Sequence, residues 1–292
     1  MLLNAYGILY REPGEFLQEM QDFAGTTGGA IHIAALTETW QHAGLDLPDL
    51  PGMQRSFAAP RQAGERARGG VAAYLADSLH CRVAVWRRRA ADGVLWLRLR
   101  GVRGLASDLL LAICYLPPRG SGGCPGDITQ WWAALEDDCA QAEATGLVLV
   151  TGDFNARTAT QPDWPHGAAM RPRRSEDQVF DCRGAQLLGL CKNTGLRICN
   201  GRVAGDQRGS ITSRGTSGGG QAVVDYVLAC PRLFPLVQRL SVSQGPFAGL
   251  DHCALRIDIS LQAPLEEGEP CRRGSAPAPS RLQCQPPPPS SG

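Results

Sequence analysis

The run at 147–150 passes directly into Thr151-Gly152-Asp153-Phe154-Asn155-Ala156. If the run is a strand, a carboxylate and an amide two positions apart leave its end on the same side of the sheet rim. Gly152 ahead of them allows backbone or substrate to come close. Val223-Val224 runs into Asp225-Tyr226, which sets a carboxylate inside an otherwise apolar strand. An isolated buried carboxylate is costly, so Asp225 needs a partner. Asp251-His252 stands just before the last apolar stretch, and an Asp225–His252 pair is one solution. Glu38, in Leu36-Thr37-Glu38-Thr39-Trp40, again closes an apolar run. Hard oxygen donors with one imidazole and no thiolate favour Mg²⁺ or Mn²⁺ over zinc. A carboxylate beside such an ion can activate water, and an Asp-oriented imidazolium can stabilise charge on a phosphoryl oxygen. The chemistry these residues suit is hydrolysis of a phosphoester without a covalent intermediate.

Those residues must be carried by strands. Apolar runs at 31–37, 71–75, 81–86, 109–116, 147–151 and 223–229, bounded by glycine and proline, predict buried strands. The stretches 97–100 and 254–260 alternate apolar and polar residues, as strands wet on one face do. Helices are predicted over 15–23 after Pro13, over 128–144 and over 183–194, the last stopping at Gly195. In 128–144 the residues Ile128, Trp132, Leu135, Cys139 and Ala142 fall on one face, so Trp131-Trp132 reads as helix packing rather than a base-stacking platform. Many strands with a few interspersed helices give an α/β sandwich, not a strict βαβ repeat. Residues 1–262 form the folded unit. Eight of the chain's 21 prolines fall within 264–292, so 263–292 reads as a disordered Pro-rich tail that cannot bury enough apolar area to offset its ordering entropy.

The bulk numbers exclude several classes. With 43% hydrophobic and 20% charged residues, the chain is too apolar for wholesale disorder. Its longest apolar run, 109–116, is far too short to cross a bilayer, and Asn4 interrupts the first apolar residues of any secretory signal. A membrane partner is therefore not expected, and the location is read as nuclear or cytoplasmic. A net charge of +1 provides no global pull on a polyanion, so nucleic-acid binding would rest on local patches. The 11 cysteines are odd in number, irregularly spaced and often within apolar runs, which suits buried reduced thiols. Glycine-rich stretches at 28–29, 120–123 and 215–220 match neither a P-loop nor a dinucleotide fingerprint, and no organic cofactor is expected.

Taken in order, LTETW (36–40), GGVAAY (69–74), CYLPP (114–118), GDFNAR (152–157), CNG (199–201), VVDYVL (223–228) and DHCAL (251–255) resemble the endonuclease/exonuclease/phosphatase superfamily. The wording is most similar to the nuclease domains of LINE-type (non-LTR) retrotransposons and their apurinic-site endonuclease relatives. The resemblance implies a DNase I-like, four-layer α/β/β/α sandwich with the site at one rim. It implies a Mg²⁺- or Mn²⁺-dependent, retroelement-derived endonuclease, acting as a monomer on DNA or RNA. By the same resemblance Glu38 is the metal-binding glutamate and Asp153 orients or deprotonates the attacking water. Asn155 binds the phosphate, and Tyr115 touches the phosphate or leaving group at the rim. Asp251 holds the imidazole of His252, which displaces the Asp225–His252 pairing, and Asp225 lies near metal and phosphate. Asn4, in Asn4-Ala5-Tyr6-Gly7, matches the first motif, a further metal or phosphate contact. One departure is Leu250, where the family places serine before the final Asp-His.

Two features stay open on sequence alone. Arg87-Arg88-Arg89 and Arg171-Pro172-Arg173-Arg174 fall in expected loops, either as solvated runs or as sequence-independent phosphate contacts. Asn200-Gly201 reads most simply as a tight turn. Two other functions fit the same residues: a phosphatase on a soluble or lipid phosphate, and a catalytically silent remnant serving as an interaction module.

Overall fold

All six apolar runs and both alternating stretches contribute strands in the computed structural model of the chain, which describes residues 1–5, 13–41, 46–53, 55–60, 69–121, 128–164, 171–215, 220–247 and 249–261. One six-stranded sheet holds, side by side, β13 (Val237–Pro246), β14 (Cys253–Ile259), β1 (Leu2–Asn4), β2 (Ile33–Thr37), β4 (Val71–Leu75) and β3 (Arg55–Ala59). The other holds β5 (Arg82–Arg89), β6 (Val94–Arg100), β7 (Leu109–Tyr115), β8 (Leu147–Asp153), β12 (Asp225–Ala229) and β9 (Arg197–Ile198). A separate ribbon pairs β10 (Ser213–Arg214) with β11 (Gln221–Ala222). The helices are α1 (Pro13–Thr27), α2 (Ile128–Thr145) and α3 (Cys182–Thr194).

Period two decides which core each strand residue joins. In the first sheet Leu2, Ala35, Val71 and Ala73 point at the second sheet, while their neighbours Leu3, Leu36, Ala72 and Tyr74 meet Phe16 and Met20 of α1. On the far side, α2 and α3 cover the second sheet through Trp132, Leu135, Leu187 and Leu190. β7 and β8 are therefore buried on both faces, which is why their sequences read as continuous apolar runs. The result is the expected α/β/β/α sandwich of DNase I-like type. Asp181 caps α3 by accepting the Gly184 amide, and Gly195, at φ 75°, ends it as expected.

Topology fixes the rim. β1 and β2 are parallel, joined through α1, and β7 and β8 are parallel, joined through α2. Parallel partners end on the same side, so Asn4, Thr37, Tyr115 and Asp153 come out together at the carboxyl ends of four strands. β12 runs antiparallel to β8, which sets its first residue, Asp225, opposite Asp153. Asp225 thus opens its strand rather than lying within it.

Other expectations are corrected or fall outside the described residues. Arg87-Arg88-Arg89 lies in strand β5, not in a loop, and both Arg87 and Arg89 pair with the buried Asp138 carboxylate of α2. An edge strand tolerates such charge because one of its sides has no strand partner. Arg173 is buried and gives Nη2 to Thr158 Oγ1 and Ala159 O, both at 2.7 Å, so of each cluster only Arg88, Arg171 and Arg174 face solvent. The edge strands β3 and β13 were not expected. β3 carries few large apolar residues, and two irregularities in β13 break its alternation. The Pro-rich tail, Tyr6-Gly7 and parts of two glycine-rich stretches lie outside the described residues. Among the described residues, every cysteine is a free thiol, most of them buried, and no helix is long and apolar enough to cross a membrane.

Candidate active site

Three strands of one sheet present a row of polar side chains to the other sheet. Tyr115 of β7 and Asp225 of β12 are both register partners of Asp153 on β8 between them. Gly152 makes that row possible: a Cβ there would stand 1.9 Å from the Cys114 carbonyl oxygen. Phe154, fully buried, anchors the segment after Asp153 by stacking on Trp132 at 6.0 Å, with Trp131 beside it. Trp131 and Trp132 are indeed packing residues.

From the facing sheet, Asn4 Nδ2 reaches Glu38 Oε1 at 3.2 Å and Asp153 Oδ2 at 3.3 Å, so one amide touches two carboxylates. Glu38 is fixed further by the Tyr115 hydroxyl on Oε1 at 2.8 Å and by Trp40 Nε1 on Oε2 at 3.1 Å. Its backbone, like those of Trp40 and Asn155, lies at positive φ (51°, 52° and 44°). That left-handed region costs a non-glycine residue about 1–3 kcal/mol and persists where surrounding contacts enforce it. Asn155 binds Asp153 twice, through its amide N on Oδ1 at 2.9 Å and Nδ2 on Oδ2 at 3.2 Å, and gives Nδ2 to Leu116 O at 3.0 Å. In this arrangement it orients Asp153.

His252 lies between the aspartates. Its Nδ1 is 2.8 Å from Asp225 Oδ2, and its Nε2 lies 4.0 Å from Asp153 Oδ2. The imidazole is therefore held by Asp225, the pairing that the buried-carboxylate argument suggested. The role that the resemblance implied for Asp251 is corrected: Asp251 is half-buried, and its carbonyl accepts the Arg214 amide at 2.7 Å. It adds only the smallest of the contributions that raise the His252 pKa.

The electrostatics follow from crowding like charges in a desolvated place. Burial first, then the Asp225 charge, hold the Asp153 carboxyl well above the ordinary carboxylate range, against the pull of His252. Burial alone would discharge His252, but the Asp225 charge and hydrogen bond, then Asp153, outweigh it and push the imidazole up to about 10. At neutral pH the ring is an imidazolium.

The donor set suits a hard divalent cation. Among the described residues Asp225 Oδ1 is buried with no hydrogen-bond partner, an acceptor that a cation would satisfy. Asp153, Asp225 and His252 bring potential ligand atoms within 4.8 Å of one another. The oxygens of Glu38, Asp153 and Asp225 are the hard donors gathered at this rim. Asn4 presents nitrogen to two of them, so to serve as a ligand its amide would turn its oxygen inward.

Three positioning residues escaped the sequence. Asn200, fully buried, grips β12 with Nδ2 on Asp225 O at 3.1 Å and Oδ1 on the Val227 amide at 3.0 Å; its motif was visible but read as a turn. Thr212 Oγ1 accepts the amides of Val224 and Asp225, and its backbone carbonyl accepts Cys253 N. Nothing in the sequence around Thr212 signals this. Trp40 stood in a recognised motif without a role.

The model of the Endonuclease/Exonuclease/phosphatase family matches residues 1–252, a span that closes on the histidine. Among solved structures, the endonuclease domain of TRAS1, a telomere-specific non-LTR retrotransposon, is similar at TM-score 0.58 and 18% identity, over 90% of this chain and 98% of that one. A variant of the 3′ phosphatase NExo from Neisseria, bound to product DNA hairpin, gives TM-score 0.54 at 14% identity, over 89% and 98% of the two chains. The 3′-5′ exonuclease NExo from Neisseria meningitidis gives 0.55 at 14%, over 88% and 98%. A search of curated proteins gave no match.

Proposed function

The chain belongs to the Endonuclease/Exonuclease/phosphatase family, and on that premise we propose that it is a divalent-cation-dependent phosphodiester hydrolase that nicks DNA internally, of retroelement origin. The observation that carries this reading is the convergence at one rim of Glu38, Asp153 and Asp225 around the Asp225–His252 pair, with His252 Nε2 directed toward Asp153. Likeness to the TRAS1 endonuclease fold supports the choice of an internal phosphodiester.

Each side chain has a task in an in-line displacement. Asp153, held by Asn155 and Asn4, orients the attacking water and takes up its proton, a task suited to a carboxyl of raised proton affinity. His252, kept charged by Asp225, offers its Nε2–H to a non-bridging phosphoryl oxygen and stabilises the charge that grows there. Tyr115 stands at the rim beside the leaving oxygen and holds Glu38 in place. Glu38 and Asp225 would hold Mg²⁺ or Mn²⁺, with Asn4 as a further ligand, and the ion would supply neutralisation of phosphate and leaving-group charge.

The test is conversion of supercoiled plasmid to nicked circles with Mg²⁺ or Mn²⁺, alongside Asp153→Ala and His252→Ala. Activity confined to the wild type is expected; equal inertness of all three across both ions would end the enzymatic reading. A second reading, favoured by likeness to NExo, is removal of 3′-terminal phosphate or nucleotides. A linear duplex labelled at either end separates the two: internal fragments mean endonuclease, and stepwise loss from the 3′ end means the alternative.

A further inference from the structure

Val179 and Phe180, adjacent in sequence, are 46% and 48% exposed, and with Leu261 they are the exposed large apolar side chains among the described residues. A lone exposed apolar residue is ordinary; a neighbouring pair on a fixed mount suggests a partner. Asp177, just before the pair, accepts the Val179 amide at 2.9 Å, the Arg157 guanidinium at 2.6 and 2.8 Å, and the Val223 amide at 3.1 Å. Asp181, just after it, accepts the Arg157 amide at 3.1 Å and caps α3 through the Gly184 amide at 2.6 Å. Phe180 itself bridges Thr158. The pair thus stands on a loop tied to the exit of β8 and the entrance of β12, the strands that carry Asp153 and Asp225. Only three peptide steps separate Thr158 from Asn155, so Phe180 lies within roughly 15 Å of the site. Beside the mount, exposed Arg119 reaches Cys182 Sγ at 3.4 Å, which adds a cation to the same rim.

Resting on the phosphodiesterase reading, we propose that this segment is a base-contacting element for the nucleic acid. Phe180 stacks on a base a few nucleotides from the cleaved phosphate, Val179 packs on the adjoining sugar, and Arg119 takes a neighbouring phosphate. An aromatic face accepts any base, so the element selects for deformability rather than sequence: flexible pyrimidine–purine steps, mismatches and unpaired stretches are preferred. A side chain held in advance also loses little freedom on stacking.

The experiment measures binding and unstacking with a fluorescent duplex containing 2-aminopurine near the nick site, for the full chain and three variants. Phe180→Ala is expected to weaken binding about tenfold and abolish the 2-aminopurine fluorescence rise, without lowering the thermal midpoint. Phe180→Trp restores both signals. Leu261→Ala is the control, because Leu261 lines a cleft with Ile33 and Leu109, at the opposite ends of β2 and β7 from the site, and it leaves both signals intact. Phe180→Ala with wild-type binding and fluorescence overturns the proposal, as does an effect confined to the sedimentation of the protein alone, which would assign the pair to a protein contact. Plasmid nicking by the wild type with Mg²⁺ or Mn²⁺ is read separately. Failure there, with duplex binding still dependent on Phe180, sinks the hydrolytic reading and leaves this one standing.

Discussion

Two buried polar clusters lie close together in this fold and treat charge in opposite ways. Around the loop after β8, Asp163 meets Arg202 at 2.7 and 3.0 Å and takes the Ile198 amide at 2.8 Å, and Asp177 does the same for Arg157 and two amides. Each carboxylate there has a guanidinium facing it. At the rim, among the described residues, Asp153, Asp225 and Glu38 share one imidazole and leave one buried oxygen without a partner. Depth of burial does not separate the two, since Asp163 and Asp153 are both almost fully enclosed. Balance does. The compensated cluster uses its charges to hold the loop, whereas the uncompensated one keeps an acceptor that a cation would satisfy.

Asp153→Ala tests that contrast most severely. It should lower kcat for plasmid nicking about a thousandfold or more while leaving the unfolding midpoint unchanged or higher, because it removes a repelled buried charge. Loss of folding together with activity would place Asp153 among the structural carboxylates instead. Asp163→Ala should do the reverse. Stranding the Arg202 guanidinium costs about 3–5 kcal/mol in urea unfolding, and the folded fraction keeps its kcat. Replacing both members, Asp163→Leu with Arg202→Met, should recover most of that stability.

How far the rim could be read from sequence depends on whether a side chain interrupts a pattern. Asp153, Asp225 and Glu38 each break an apolar run, and the cost of burying a lone carboxylate by itself points to an Asp225–His252 pair. The resemblance assigns the imidazole to Asp251, whereas the geometry gives it to Asp225. Asn200 shows the other limit. Asn-Gly is a common turn signal, and its two partners, Asp225 O and Val227 N, lie on a strand 25 residues or more away. Thr212 has no local signal at all, since its job is to tie Asp225 to the strand behind His252. The strand order of the sheets was not legible either, because β3 and β13 are edge strands whose composition does not betray them.

Asn200→Ala probes a residue that belongs to both clusters by position and to the rim by contact. It leaves the Asp225 carbonyl and Val227 amide unpaired in a buried place, at about 2–3 kcal/mol. If Asn200 serves the site, kcat falls with KM unchanged and the cation needed for half-maximal activity rises. A purely structural role would lower stability alone.

The two clusters should also respond to pH with opposite slopes in EDTA. Asp153 is raised above the ordinary carboxylate value of 3.8, so its stabilising contribution is complete below that value and is lost as pH rises. His252, raised from 6.5 to about 10, likewise loses its contribution as pH climbs through that window. Asp177 is lowered: burial alone would raise it, but the Arg157 hydrogen bond and the Val179 and Val223 amides outweigh burial. Its contribution is present above 3.8 and disappears as pH falls. Melting curves of Asp153→Asn and Asp177→Asn against pH should therefore flatten different limbs. Both losing the same limb would erase the distinction between the clusters.

Trp40→Phe makes the smallest and most discriminating change. Glu38 keeps the Tyr115 and Asn4 contacts on Oε1 but loses the indole N–H on Oε2, at a residue whose backbone already sits at positive φ. If Glu38 is a cation ligand held in readiness, freeing one oxygen loosens its aim without removing it. The Mg²⁺ concentration for half-maximal nicking should then rise roughly tenfold, the low end for a partner behind a ligand, while kcat at saturating ion is nearly restored. Were Glu38 merely a hydrogen-bonded carboxylate like Asp177, excess cation would rescue nothing. The rim would then be a charged surface with one reactive pair, not a cation site.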